Sequence, residues 1–174
     1  MPQDFKTGFL KTLWILRDYL PVIVIGGGWV PLLYYHYLLA DKSRHPIRTR
    51  DIDLLVNTQV PVIGEKPVDQ LLHDAGFNAT FKSTDTPPVI HYEGQIDGEE
   101  VEIEFLTDQQ GPRDDMVIKV QNGLHAEALR FISIPINHAI EIHINDFRIE
   151  NECHPLTVKA PSPVAYIFHK GLIF

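Results

Sequence analysis

The chain has 174 residues, 44% of them hydrophobic, and a formal net charge of −8 at pH 7. That is enough chain for one buried core, and the acidic balance offers phosphodiester backbones no general attraction, because such binding rests on Lys and Arg. The single cysteine, Cys153, excludes an internal disulfide framework, and no apolar run approaches the roughly 20 residues needed to span a bilayer.

The N-terminus, Met-Pro-Gln-Asp-Phe-Lys, has no secretory signal pattern, so a cytoplasmic location is expected. Phe5, Phe9, Leu13, Leu16 and Leu20 recur at helical spacing behind Asp4, a candidate N-cap. They predict an amphipathic helix over 5–20, stopped by Pro21. Residues 22–25 form a short β-branched run that ends in Gly26-Gly27-Gly28, and 29–40 then reads as a mostly buried helix with Pro31 in its first turn. Trp29, Tyr34, Tyr35 and Tyr37 have the spacing of a helix packed on a sheet.

After a loop rich in Arg, His and Pro, the segment 51–56 alternates. Asp51, Asp53 and Leu55 take one face of a strand, and Ile52, Leu54 and Val56 the other. Pro67 and Gly76 bracket a short helix over 68–75, and strands are expected near 79–82, 89–96 and 100–106, with Asp97-Gly98 as a tight hairpin turn. In the last of these strands Glu102, Glu104 and Leu106 share a face opposite Val101, Ile103 and Phe105. Residues 139–144 and 156–159 read as further strands, and Ser162 followed by Pro163 opens a final apolar helix that runs to Phe174.

Two features of this order carry chemistry. A glycine turn between a strand and a helix presents N–H groups where the helix dipole is positive, which suits phosphate, although such a turn also serves packing. No Gly-Lys-Ser/Thr follows the glycines and the third glycine of a dinucleotide fingerprint would fall at Pro31, which disfavours P-loop and Rossmann readings. Like charges side by side on a strand face cost energy unless something positive lies between them, so Asp51 and Asp53 read as ligands of a hard divalent cation. A solvated edge strand is the alternative for an isolated Asp-x-Asp; Leu54, Leu55 and Val56 weigh against it by making the strand read as buried. The nine histidines include no pair in a metal-binding helix motif, Cys153-His154 has no second Cys nearby, and His138 and His143 have opposite parity, so zinc is not expected.

The glycine turn opening a helix, Thr49-Arg50-Asp51-Ile52-Asp53-Leu54-Leu55-Val56, and a later strand with Glu104-Phe105-Leu106-Thr107 form an ordered set. It resembles the nucleotidyltransferase superfamily that includes DNA polymerase beta. Within that superfamily it looks most like bacterial nucleotidyltransferases of unassigned substrate and the nucleotidyltransferase toxins of abortive-infection systems. The resemblance implies an α+β fold with a mixed central sheet flanked by helices. It implies a catalytic core over 1–160 and, over 161–174, the start of a helical C-terminal part that is cut short.

By the same resemblance, Gly26, Gly27 and Gly28 hold the triphosphate, Asp51 and Asp53 bind metal, and Glu104 completes the set. Glu102 shares the face of Glu104 and leaves that third position open. Arg48, Thr49 and Lys170 are secondary candidates for triphosphate contacts, each reading equally as a surface or capping residue. The implied reaction is in-line attack of an acceptor hydroxyl on the α-phosphate of a nucleoside triphosphate, with pyrophosphate leaving. Two Mg²⁺ ions about 3.5–4 Å apart, or Mn²⁺ in their place, would assist it, with the third carboxylate as base. The implied partners are the nucleoside triphosphate, an acceptor on a small molecule, a protein or an RNA end, and an antitoxin-like protein, with no membrane. A nucleotide-binding or regulatory protein without turnover is the alternative, and metal-dependent phosphoester hydrolysis a third reading.

Overall fold

The alternating segments become the middle of one large mixed sheet in the computed structural model, which describes residues 6–41, 43, 49–81, 90–112 and 116–173. In chain order the elements are α1 (Thr7–Ile15), a 3₁₀ segment (Arg17–Val22), β1 (Ile23–Ile25), α2 (Trp29–Leu33) continuing as a π turn (Tyr34–Leu38), and β2 (Asp51–Val56). Then come α3 (Val68–Asp74), β3 (Asn78–Phe81), β4 (Ile90–Ile96), β5 (Glu99–Asp108), β6 (Met116–Gln121) and β7 (Leu124–Leu129). The last are α4 (Ser133–Asn137), β8 (Ala139–Ile144), β9 (Arg148–Ile149), β10 (Glu152–Cys153), β11 (Leu156–Pro161) and α5 (Pro163–Ile173).

Two helical expectations need correction. The helix expected over 5–20 is divided, because Pro21 has no N–H to give to a carbonyl four residues back. The chain tightens there, and the Tyr19 N–H donates to the Leu16 carbonyl at 2.8 Å. The apolar stripe is kept, with Phe9, Leu13, Leu16 and Leu20 all buried; Asp4 and Phe5 lie outside the described residues. The helix expected over 29–40 widens at Tyr34, where the Leu39 N–H reaches the Tyr34 carbonyl at 2.9 Å, an i to i+5 bond. The β6–β7 hairpin, α4 and the small β9–β10 ribbon were not anticipated. The ends of the strands expected near 79–82 and 89–96 fall partly on residues outside the described ones, as does Phe174.

The sheet runs β3-β4-β5-β2-β1-β11-β8, with β7 pairing alongside the far end of β5 and β6 beyond it. β2 lies parallel to β5 and antiparallel to β1, and β4 and β5 form the hairpin read from Asp97-Gly98. Both turn residues have positive φ, 53° and 82°, as a two-residue hairpin turn matching the strand twist requires.

One face of this sheet is the core. Ile52, Leu54 and Val56 of β2 pack with Ile103 and Phe105 of β5, Ile23 and Ile25 of β1 and Val158 of β11, under Phe9 and Leu13 of α1, Trp29 and Leu33 of α2 and Leu72 of α3. Each such side chain contributes about 1.5–3 kcal/mol by leaving water. The other face divides along its strands. At one end Val24, Leu55 and Ile132 form a small cluster that Leu106, Leu129 and the α4 residue Ile136 cover. At the other end the same face of β2 and β5 carries carboxylates.

Candidate active site

The parallel register of β2 on β5 sets Asp51 beside Glu102 and Asp53 beside Glu104. The β4–β5 hairpin then puts Glu93 beside Glu102 and His91 beside Glu104, and β3 adds Asn78 beside Glu93 and Thr80 beside His91. Two polar rungs therefore cross four strands: Asn78, Glu93, Glu102, Asp51, and Thr80, His91, Glu104, Asp53. Adjacent strands stand about 4.8 Å apart, so the carboxylates of each rung are close neighbours. Asp51 is exposed, while Asp53, Glu102 and Glu104 are half-buried.

The glycine turn is built against the start of β2. The Gly26 N–H donates to the Asp53 carbonyl at 2.8 Å. Gly27 sits at φ +59°, and a Cβ there would collide with Asp53 Oδ2. A Cβ at Gly28 would stand 2.9 Å from Thr49 Cγ2. The indole Nε1 of Trp29, stacked on Phe9 at 4.2 Å, donates to the Asp51 carbonyl at 3.0 Å, and Thr49 Oγ1 donates to the same carbonyl at 3.3 Å. Turn and acidic strand thus meet at four successive positions, Gly26 to Trp29, against Thr49 to Asp53 on the other side.

Helix α5 closes the opposite flank. The Tyr166 hydroxyl donates to the Gly27 carbonyl at 3.2 Å, and burial together with the nearby Asp53 charge holds that phenol above its ordinary range. Lys170, one turn along, lies 5.8 Å from the Tyr166 ring centroid. Thr49 and Lys170 are therefore brought to the rim of the turn, whereas Arg48 lies outside the described residues. Two clefts open at this end of the sheet, one of about 560 Å³ lined by Phe9, Trp29, Thr49 and Glu99, the other of about 410 Å³ lined by Asp51, Glu93 and Glu102. Arg50, Gln95, Glu100 and Val101 border both, and Arg50 pairs with Glu100 at 3.6 Å between them.

A nucleotidyltransferase family model matches residues 18–174. The chain belongs to the nucleotidyltransferase family. Its mixed sheet flanked by helices is consistent with the nucleotidyltransferase fold, and the family's reaction class is nucleotidyl transfer from a nucleoside triphosphate. No curated protein and no solved structure matches the chain.

In this nucleotidyltransferase the donor atoms that come together most closely belong to another set than the one read from the sequence. Among the described residues, His91, Glu93 and Glu102 have metal-type donors within 4.8 Å of one another, while Asp51, Asp53 and Glu104 share a face without forming such a group. His91, Glu93 and Tyr166 were missed at the sequence level. For His91 and Glu93 the signal was present, since a two-residue turn at Asp97-Gly98 fixes which residues of β4 stand beside Glu102 and Glu104.

Proposed function

We propose that this nucleotidyltransferase moves a nucleoside monophosphate from a nucleoside triphosphate to a hydroxyl acceptor, with Asp51, Asp53 and Glu104 as the reacting carboxylates. The observation that carries the reading is the rung that joins Gly27, Asp53 and Glu104. The glycine backbone touches the Asp53 carboxylate, which stands in register with Glu104. Phosphates held on the turn would lie directly over two carboxylates.

The donor set fits a hard cation. Asp51, Asp53 and Glu104 offer only carboxylate oxygens, which suit Mg²⁺, and the missing side chain at Gly27 leaves the Asp53 carboxylate against open backbone. These three would hold the ion, which when bound neutralises charge on the phosphoryl oxygens and lowers the pKa of the acceptor hydroxyl. The backbone of Gly27 and Gly28 binds the triphosphate, with Gly26 fixing the turn on Asp53 through its N–H and Thr49 and Lys170 at the edges. Tyr166 orients the turn by holding the Gly27 carbonyl. Glu104 receives the acceptor proton. Glu102 stands beside Asp51 with its Oε1 3.6 Å from His91 Nε2, whereas Glu104 stands in register with Asp53, the carboxylate next to the glycine turn, and that register supports Glu104 for the third position.

The test is calorimetric titration of each of the four nucleoside triphosphates with Mg²⁺ and again with EDTA, on the natural protein and on Asp51→Asn/Asp53→Asn. Metal-dependent binding that the double variant loses, with pyrophosphate released on adding an acceptor, supports the proposal. A folded protein that binds none of the four with Mg²⁺ sinks it, and binding without turnover across acceptor classes moves it to a regulatory nucleotide-binding protein.

A further inference from the structure

Strand β4 places an imidazole among carboxylates. His91 is 4% exposed, and its Nε2 lies 2.8 Å from Glu93 Oε1, 3.6 Å from Glu102 Oε1 and 2.9 Å from Thr80 Oγ1. Its other nitrogen, Nδ1, is buried without a hydrogen-bond partner among the described residues.

Neither neutral tautomer suits these surroundings. With the proton on Nε2, the Nδ1 lone pair is stranded; with the proton on Nδ1, that N–H is stranded instead, and Nε2 can accept from Thr80 Oγ1 but also faces two carboxylate oxygens that repel its lone pair. A divalent cation reverses that second repulsion, because it takes up the Nε2 lone pair and neutralises the two carboxylates together.

We propose that His91, Glu93 and Glu102 form a binding site for a divalent transition-metal ion of the zinc class. It is separate from the carboxylates assigned to Mg²⁺ and does not depend on that assignment.

The spacing suits such an ion. Metal bonds of about 2.0–2.2 Å at tetrahedral angles separate donors by about 3.3–3.6 Å. The observed 2.8 and 3.6 Å bracket this range, and all three donors fall within 4.8 Å of one another. Backbone pairing builds the site in advance: Glu93 and Glu102 are direct cross-strand partners, and His91 stands two residues along β4 on the same face. The imidazole selects the metal, since nitrogen ligation favours zinc-class ions over Mg²⁺. Three protein ligands leave the fourth tetrahedral position for water. Glu102 is also the register partner of Asp51, so the ion would border the carboxylate face across one strand.

The experiment titrates Zn²⁺ into the protein in excess Mg²⁺ against a chromophoric chelator. It compares the natural chain, His91→Ala, Glu93→Gln and Asp51→Asn/Asp53→Asn, each checked for folding by its thermal transition. One Zn²⁺ per chain is expected in the natural protein and in the double Asn variant, with affinity at least about tenfold weaker in His91→Ala and Glu93→Gln. Glu93 is 57% exposed at its side chain, so Glu93→Gln decides the matter if the buried His91 substitution unfolds the chain. The proposal is overturned if the folded natural protein yields all its Zn²⁺ to the chelator or if both single variants bind as the natural chain does. Loss of Zn²⁺ in the double Asn variant alone would overturn it as well.

Discussion

Gly27 meets two constraints at once: a φ of +59° and a Cβ position that Asp53 Oδ2 already occupies. Alanine there would have to adopt a left-handed backbone, and Asp53 would have to turn its carboxylate aside. Gly27→Ala is expected to cost about 1–3 kcal/mol, read from urea unfolding, and to weaken metal-dependent nucleotide binding beyond what the lost stability explains. The third carboxylate separates in the same way. Glu104→Gln should keep nucleotide binding and lower turnover by about 10²–10⁴, the usual contribution of a positioned base. Glu102→Gln should lower it far less, and single-turnover rates with saturating nucleotide distinguish the two. Equal losses would mean that both glutamates serve the reaction. Strand alternation pairs Asp51 with Asp53 and Glu102 with Glu104, but the sharing of one face by the two pairs rests on the long-range β2–β5 register, and Glu104 was expected only through the family resemblance. Tyr166 could not be read from the sequence, since its contact with Gly27 spans 139 positions of chain and exists only once α5 has docked.

At the scale of elements, legibility followed the strength of local signals. β2 and β5 alternate strictly, and the Asp97-Gly98 turn sets the register of β4 on β5, so the pairing of His91 with Glu104 was within reach of arithmetic on residue numbers, whereas that of Glu104 with Asp53 joins distant parallel strands and was not. The β6–β7 hairpin also had a signal in Asn122-Gly123, but Leu124, Ala126 and Ala128 are weak strand formers and read equally well as helix. The break in the first helix was misplaced because Phe9, Leu13, Leu16 and Leu20 keep one apolar stripe through both the α and the 3₁₀ geometry.

Helix α5 supplies a prediction at this scale. Burial, with Lys170 beside it, holds His169 below the ordinary histidine range, and its Nε2 is buried without a hydrogen-bond partner among the described residues. The folded state therefore favours neutral His169. Its contribution is intact above the ordinary value and is lost as the pH falls toward and through the depressed one, because the unfolded chain takes up the proton first. The urea midpoint should drop as the pH falls through and below the ordinary histidine range, and His169→Gln should make that drop smaller. An unchanged drop would mean that other groups carry it.

The whole molecule is a sheet with unequal faces. The α1, α2 and α3 side holds the large core. Among the described residues, the opposite side is packed by α4 at one end and carries the carboxylates and the glycine turn, with α5 beside them, at the other. Binding there adds contacts that the unfolded chain cannot make, so nucleotide with Mg²⁺ should raise stability by mass action. The gain is about 2.7 kcal/mol at a ligand concentration 100 times Kd. At roughly 2–4 °C per kcal/mol for a chain of this length, the unfolding midpoint should rise by about 5–11 °C. EDTA should abolish the rise, and Asp51→Asn/Asp53→Asn should not show it at all. A rise that survives both would place the nucleotide away from the carboxylate face, for instance in the cleft lined by Phe9 and Trp29. The rung of Gly27, Asp53 and Glu104 would then be a packing arrangement rather than a site.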